Sequence, residues 1–193
     1  MTTFDVARDL QTLRALYVAI DALLELEPAP LARVEPGISG WSGEQHLAHV
    51  ALANELVLRN LKSLAKGSGM LVVQGGDPHP RALELLAAGA LPRGEAQAPR
   101  MVRPPERVER ALLSQWLADG KRELDALDPA TLVSNGLKIP HQILGPLDAP
   151  QWVRFGAVHA RHHLVIAHEV LHAARVTGLR ELPAIELHTS SQR

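Results

Sequence analysis

Cysteine is absent from this 193-residue chain, and aromatic residues make up only 3% of it. The first absence excludes disulfides, thiolate metal ligands and cysteine nucleophiles, so any metal site must use histidine and carboxylate ligands. The scarcity of aromatics, together with scattered rather than alternating β-branched residues, gives little sign of β-strands. Leucine and alanine dominate instead, at helical spacing, and this pattern predicts an all-α protein.

An excess of charge of either sign is also missing, because 20 basic and 21 acidic residues leave a formal net charge of -1. This balance disfavours binding to nucleic acid or to a membrane surface through bulk charge. No apolar run reaches the roughly 18 residues of a membrane span. The opening residues, MTTFDVARDL, contain no continuous apolar segment of the kind found in signal peptides. We therefore expect a cytoplasmic protein whose partners include neither nucleic acid nor membrane.

The spacing of apolar residues predicts four long helices and one short helix. The long helices cover residues 3–26, 42–67, 105–127 and 148–176, and the short one covers 80–88. Glycine and proline are concentrated in two links, 68–104 and 128–147, whose length is unusual in a compact domain. The pattern predicts a four-helix bundle with long irregular crossover links. We expect one domain over residues 1–193, with its core at about 3–176 and a tail at 177–193.

Histidine is concentrated near the C-terminus, where five of the ten histidines lie within the last predicted helix. Two pairs have the i,i+4 spacing that places side chains on one helix face, His159 with His163 and His168 with His172. Counting about 100° per residue puts the first pair on the apolar face and the second among arginines, including Arg154, on the opposite face. We therefore expect the first pair to point inward and the arginine face to be exposed.

The second predicted helix carries His49 on its inner side, with His46 about 60° away in angle. Inward-facing His49, His159 and His163 would bring three neutral imidazoles together from two helices. Such a set leaves coordination positions open for water or substrate, as in a catalytic metal site. Alternatively they are hydrogen-bonded core histidines, although these rings satisfy one another only in part. Spacing alone leaves both interpretations open.

Other histidines fall into two groups. His162, His46 and His141 are candidates for groups that line the pocket, orient a ligand or transfer a proton, while no catalytic residue is assigned. His79 and His188 stand in polar surroundings and are expected to be solvated.

The sequence HEVLH at residues 168–172 matches the HExxH signature of zinc peptidases. In that interpretation the two histidines bind zinc and Glu169 is the general base. A third ligand is then required, yet Gly178 occupies the position of the third histidine in one large class, leaving Glu181 and Glu186 in the tail. The expected exposure of this face and the lack of a predicted sheet before the motif oppose the peptidase interpretation.

Three motifs, taken in order, resemble the DinB-like (YfiT-like) superfamily of bacterial four-helix proteins with a metal site. Gly-Trp-Ser at 40–42 is followed by His49, and residues 141–147 read HQILGPL ahead of Trp152. Residues 159–164 then read HARHHL. The whole run is similar to the H-P-x-x-G-x-L…W…H-x-x-H-H-L pattern of one branch, and the resemblance covers most of the chain.

This resemblance implies an up-down-down-up bundle in which one metal ligand comes from the second helix and two come from the last. Carried over onto this sequence, the ligands are His49, His159 and His163. Gln142 stands where the branch usually has proline, and Ile166 follows the HHLV run where glutamine is frequent. Neither departure touches a ligand.

Characterised members of the superfamily include thiol-dependent transferases and isomerases, which use bacillithiol or mycothiol. The resemblance implies a divalent metal (zinc, nickel or iron), a low-molecular-weight thiol, a small-molecule substrate and a transferase or hydrolase of the detoxification type. A divalent ion that coordinates sulfur removes its proton and provides a nucleophile at neutral pH. A non-catalytic metal-binding or stress-response protein is the alternative. Exposed helix faces are compatible with a homodimer.

Overall fold

Six helices and a small antiparallel sheet make up the computed structural model, which describes residues 4–94 and 97–187 of the chain. The helices are α1 (Val6–Leu24), α2 (Pro28–Ala32), α3 (Gly43–Lys66), α4 (Pro80–Ala88), α5 (Arg110–Asp125) and α6 (Ala149–Ala173). The strands are β1 (Val73–Gln74), β2 (Leu137–His141) and β3 (Gly145–Leu147). The predicted all-α fold is therefore confirmed only in that the protein is mostly helical, and the small sheet was not predicted.

The two helices that carry the candidate histidines have well-defined ends. Ser42 Oγ accepts a hydrogen bond from the Gln45 backbone N–H (3.2 Å), and Gln45 Oε1 accepts one from the Ser42 N–H (3.0 Å). This arrangement is a capping box, and it fixes the start of α3. Gly67 ends α3 with a φ of 70°, a conformation that favours glycine. Asp148 and Gln151 form an equivalent box at the start of α6.

Packing places α6 against both α3 and α1, while α5 packs on α3 and α1 from the other side. Aliphatic side chains such as Leu13, Leu61 and Leu164 are fully buried between these helices. Where α5 meets α1, a Cβ atom at Gly120 would lie only 2.5 Å from the Tyr17 hydroxyl. Glycine is therefore needed here for the two helices to approach so closely.

The strands lie in the two links that were expected to be irregular. β2 pairs with β1 on one side and with β3 on the other, antiparallel in both cases, with Val73 opposite Lys138 and Ile139 opposite Leu147. Strands of two, five and three residues are too short to show the alternation by which strands are recognised in a sequence. The links are therefore more ordered than the sequence indicated, and they bring the segment of His141 onto α6.

The start of α5 was predicted wrongly. The helix begins at Arg110 rather than at Pro105, because the Gln45 side chain donates hydrogen bonds to the carbonyl oxygens of Pro105 (3.1 Å) and Glu106 (3.4 Å). These carbonyls are thus engaged outside a helix. Within the helix, Leu113 is buried whereas the neighbouring Leu112 is 43% exposed.

The expected exposure of the arginine face of α6 is wrong for Arg154. Its side chain is fully buried and forms an ion pair with Asp9 (Nη1 to Oδ1, 2.9 Å). Its guanidinium also donates to the carbonyl oxygens of Leu86 (2.8 Å) at the end of α4 and Glu186 (2.6 Å) in the C-terminal segment. These two segments cover a face that would be exposed on an isolated helix.

The described residues contain no helix that is both long enough and apolar enough to cross a membrane. His188 lies outside the described residues, so its expected exposure stays a prediction. His79 is exposed immediately before α4, as expected.

Candidate metal centre

Three histidines from two helices converge between α3 and α6. His49 extends from α3, and His159 and His163 extend from successive turns of α6. One ring nitrogen of each lies within 4.8 Å of the corresponding nitrogens of the other two. The structure thus brings together the three residues that face counting and the family resemblance both selected.

The backbone of the link before α5 fixes the proton of His49. His49 Nδ1 lies 2.7 Å from the Val102 carbonyl oxygen, which can only accept a hydrogen bond. The Nδ1 atom must therefore carry the proton of the neutral ring. His49 Nε2 is left with a free lone pair, and it lies 3.2 Å from His159 Nε2.

Among the described residues, His159 has polar contact only through its Nε2 atom. Its Nδ1 is buried and has no hydrogen-bond partner among the described protein atoms. Two arrangements are compatible with the separation of 3.2 Å from His49. Either His159 Nε2 donates a hydrogen bond to His49, or two lone pairs face each other and require a cation between them.

His46 joins His163 to the loop before α3. Its Nδ1 lies 3.0 Å from His163 Nδ1, and its Nε2 lies 2.9 Å from Ser39 Oγ, which accepts a hydrogen bond from the Trp41 N–H (3.1 Å). If His163 Nδ1 donates to His46, then His46 Nε2 donates to Ser39 and His163 Nε2 keeps its lone pair. The opposite arrangement protonates His163 Nε2. Only the first arrangement leaves that atom free to bind a metal.

Burial keeps these rings neutral. The pKa values of His159 and His163 are well below the usual 6.5, mainly because burial disfavours the charged form and secondly because other histidines lie close by. Burial likewise lowers the pKa of His46 to about 4, and it lowers the pKa of His49 although the Val102 hydrogen bond opposes that effect. At neutral pH each ring therefore keeps one nitrogen lone pair, and a metal ion would not have to displace the second proton of an imidazolium.

One nitrogen–nitrogen separation in the group matches that of two ligands on a divalent ion. Two nitrogens that each lie about 2.0–2.1 Å from a tetrahedral zinc ion are about 3.3 Å apart. The separation of His49 Nε2 and His159 Nε2 is 3.2 Å. Three neutral imidazoles also suit nickel, iron or copper, so the ligand set does not identify the metal.

The fourth nearby histidine does not close the coordination shell. His46 directs Nδ1 at His163 and Nε2 at Ser39, and it is not a member of the three-residue group. His159 and His163 are half-buried residues, whereas His49 is buried. The group therefore lies nearer to the protein surface on its α6 side.

Aromatic side chains form the walls of the group. The Trp41 ring contacts the rings of His46 (5.4 Å between centroids) and His49 (5.1 Å), and the Phe155 ring lies 5.2 Å from that of His159. Sequence reasoning noted Trp41 as part of a motif but assigned neither aromatic residue to the site. The sequence features that could have identified them are the Gly-Trp-Ser sequence before α3 and the position of Phe155 one helical turn before His159.

His141 lies beyond that wall. Its ring is 4.6 Å from Phe155 and 5.6 Å from Trp152, and its Nδ1 accepts hydrogen bonds from the N–H groups of Ile143 (3.2 Å) and Leu144 (3.1 Å). Burial lowers its pKa to about 4. It therefore orders the β2–β3 turn and approaches the three-histidine group through Phe155.

His162 borders the group on α6. Its ring centroid is 5.0 Å from that of His163, and it forms a hydrogen bond with the backbone of Leu91. Burial is the main cause of its lowered pKa, and the positive charge of Arg93 is the second. Its role in lining the pocket or orienting a ligand stays a prediction.

The HExxH residues do not form a comparable centre. Both oxygens of Glu169 accept hydrogen bonds from Arg93 (2.6 and 2.7 Å), and this contact lowers the pKa of the carboxyl group. His172 is exposed, and no other group of three or more metal-ligating side chains occurs in residues 4–94 and 97–187. A carboxylate held by arginine is poorly suited to act as the base of a peptidase.

Comparison with known proteins identifies the family. A sequence model described as the DinB superfamily matches residues 11–173, which include all three histidines of the group. No curated protein and no solved structure matches the chain. The matched segment extends from α1 to the end of α6 and is most of the sequence, so the chain belongs to the DinB superfamily.

Proposed function

We propose that this protein is a metal-dependent enzyme of the thiol-transferase type, built on a DinB-type four-helix bundle of α1, α3, α5 and α6. His49, His159 and His163 would hold one divalent ion, with zinc, nickel and iron as the candidates. The observation that carries the proposal is the convergence of three ring nitrogens within 4.8 Å, with His49 Nε2 free of a proton. The chain would act in the cytoplasm on a small molecule.

A divalent ion bound there would lower the pKa of a low-molecular-weight thiol and so supply a nucleophile at neutral pH. The protein residues would prepare the site for that chemistry. Val102 and His46 would orient two of the rings, and Trp41 and Phe155 would exclude water from one side. The α6 side of the group, where His159 and His163 are half-buried, would leave access for the thiol and its electrophile.

Metal content tests the first part of the proposal. We expect untagged wild-type protein to hold about one divalent ion per chain, and His159→Ala to lose it because one of three protein ligands is removed. His168→Ala is the matched control, since it removes a histidine of the same helix outside the group. Elemental analysis measures all three proteins.

Loss of metal in His168→Ala alone would overturn this assignment and favour the HExxH motif. Absence of metal from all three proteins, even after incubation with zinc, nickel and iron, would instead favour a non-catalytic binding protein.

Metal affinity should also depend on His46. His46→Ala removes the contact of 3.0 Å with His163 Nδ1, which would orient that ring and would leave its Nε2 free when His163 is the donor. We expect zinc affinity to fall about 10- to 100-fold, the usual cost of losing a group that orients a ligand. Competition with a chromophoric zinc chelator measures it, with exposed His172→Ala as the control. Equal affinities for His46→Ala and wild type would show that His163 binds without this support.

A further inference from the structure

The histidine group has an unusual charge environment, because its ligands are neutral and include no carboxylate. A divalent ion held by three imidazoles would therefore keep its full charge of about +2 within the site. A cationic side chain, Arg93, lies in the link that contacts α6 beside the group. Such surroundings favour an anionic ligand over a neutral one.

Arg93 is held close to the group by two contacts between its link and α6. The His162 ring bonds to the backbone of Leu91, two residues before Arg93, and lies 5.0 Å from the His163 ring. Arg93 itself forms the two hydrogen bonds to Glu169, which lies about two turns further along α6. The guanidinium thus lies against α6 on the side of the group that His162 borders.

The geometry of the Arg93–Glu169 pair shows what Arg93 can bind. Its Nη1 and Nη2 atoms reach the two carboxylate oxygens at 2.6 and 2.7 Å, the paired arrangement by which arginine recognises a carboxylate. Another carboxylate can also reach Arg93, because the Arg93 and Glu169 side chains are 45% and 42% exposed. Exposed ion pairs of this kind contribute little to stability, so another carboxylate could replace Glu169 at small cost.

We propose that Arg93 binds a carboxylate group of the substrate that occupies the His49/His159/His163 site, and that Glu169 holds Arg93 in place until that substrate arrives. The proposal rests on the proposed thiol-dependent function and names its substrate class, a thiol that carries a carboxylate. Arg93 determines specificity in this scheme and takes no part in the reaction itself.

Binding of paired thiols to the cobalt-loaded protein tests this proposal. The probes are mercaptopropionate and mercaptohexanoate, each compared with the mercapto alcohol of the same length, and the readout is the sulfur-to-cobalt charge-transfer absorption. We expect at least one acid to bind about tenfold more tightly than its alcohol, the effect of one charge-assisted contact. Arg93→Gln should abolish that ratio, and Arg93→Lys should keep part of it because the charge remains.

Two further variants make the test specific. Glu169→Gln should tighten binding of the acid, because the competing carboxylate is removed. Arg59→Gln, which disrupts an exposed Arg59–Glu55 pair on α3, should leave every affinity unchanged. Equal affinities of acid and alcohol in the wild type, or a ratio that survives Arg93→Gln, would overturn the role of Arg93 while the thiol function stands. Absence of the absorption with every thiol would overturn the thiol function, and the role of Arg93 with it.

Discussion

Replacing Arg154 by alanine is expected to lower the free energy of unfolding by about 3–5 kcal/mol, the usual cost of removing one partner from a buried ion pair. Arg154 is fully buried, and its partner Asp9 is 3% exposed. The substitution removes the guanidinium from a carboxylate that water cannot reach, and it leaves the Leu86 and Glu186 carbonyl oxygens without these donors. It also removes a cation that lies 5.5 Å from the centre of the Phe4 ring.

Urea unfolding of the metal-free protein, followed by circular dichroism, measures this effect. Arg8→Ala is the matched control, because the Arg8–Glu186 pair lies nearby but its side chains are 55% and 53% exposed. We expect that control to change stability by about 1 kcal/mol or less. The double variant Asp9→Leu/Arg154→Met should recover part of the loss, since apolar residues of similar size often replace a buried ion pair without cost. The Leu86 and Glu186 carbonyl oxygens still lack the Arg154 donors in this variant. An Arg154→Ala protein as stable as wild type would contradict the structural role of this network.

Arg154 also shows where sequence reasoning fails for this fold. Counting angles along one helix separates its apolar face from its polar face, and this placed His159 and His163 correctly because their neighbours are apolar. The same count wrongly placed Arg154 in solvent. An angular count along one helix carries no information about α4 and the C-terminal segment, whose contacting residues lie 68 and 32 residues away from Arg154 in the chain. Contacts between distant segments decide burial, and helical periodicity does not contain them.

In the candidate site, too, some residues could be predicted from the sequence and others could not. The ligand candidates His49, His159 and His163 could be predicted, because two regular helices with clear caps fix which side chains face each other. The residues that orient them could not. Val102 and Arg93 lie in a link without regular periodicity, and their positions depend on single contacts, a carbonyl oxygen 2.7 Å from His49 and a carboxylate on α6.

Acidification should destabilise the metal-free protein strongly. His46 and His141 have pKa values of about 4 in the folded protein, compared with about 6.5 when unfolded, mainly because burial disfavours their charged forms. Between these values the unfolded chain binds more protons than the folded one, so stability rises with pH. The stabilisation is fully present above about pH 6.5 and is lost as the pH falls towards about 4. His159 and His163 have lowered pKa values too and add to the effect in the same direction.

From pH 7 to pH 5, each histidine with a folded pKa of about 4 should reduce the free energy of unfolding by about 2 kcal/mol. Urea titrations of chelator-treated protein at a series of pH values measure this loss. His141→Gln removes one such group without touching the three candidate ligands, so its stability should fall by about 2 kcal/mol less over that range. Exposed His172→Gln should follow the wild-type curve. A wild-type curve that stays flat from pH 7 to pH 5 would mean that these rings are already solvated, and the neutral imidazoles required for a metal site would lose their physical basis.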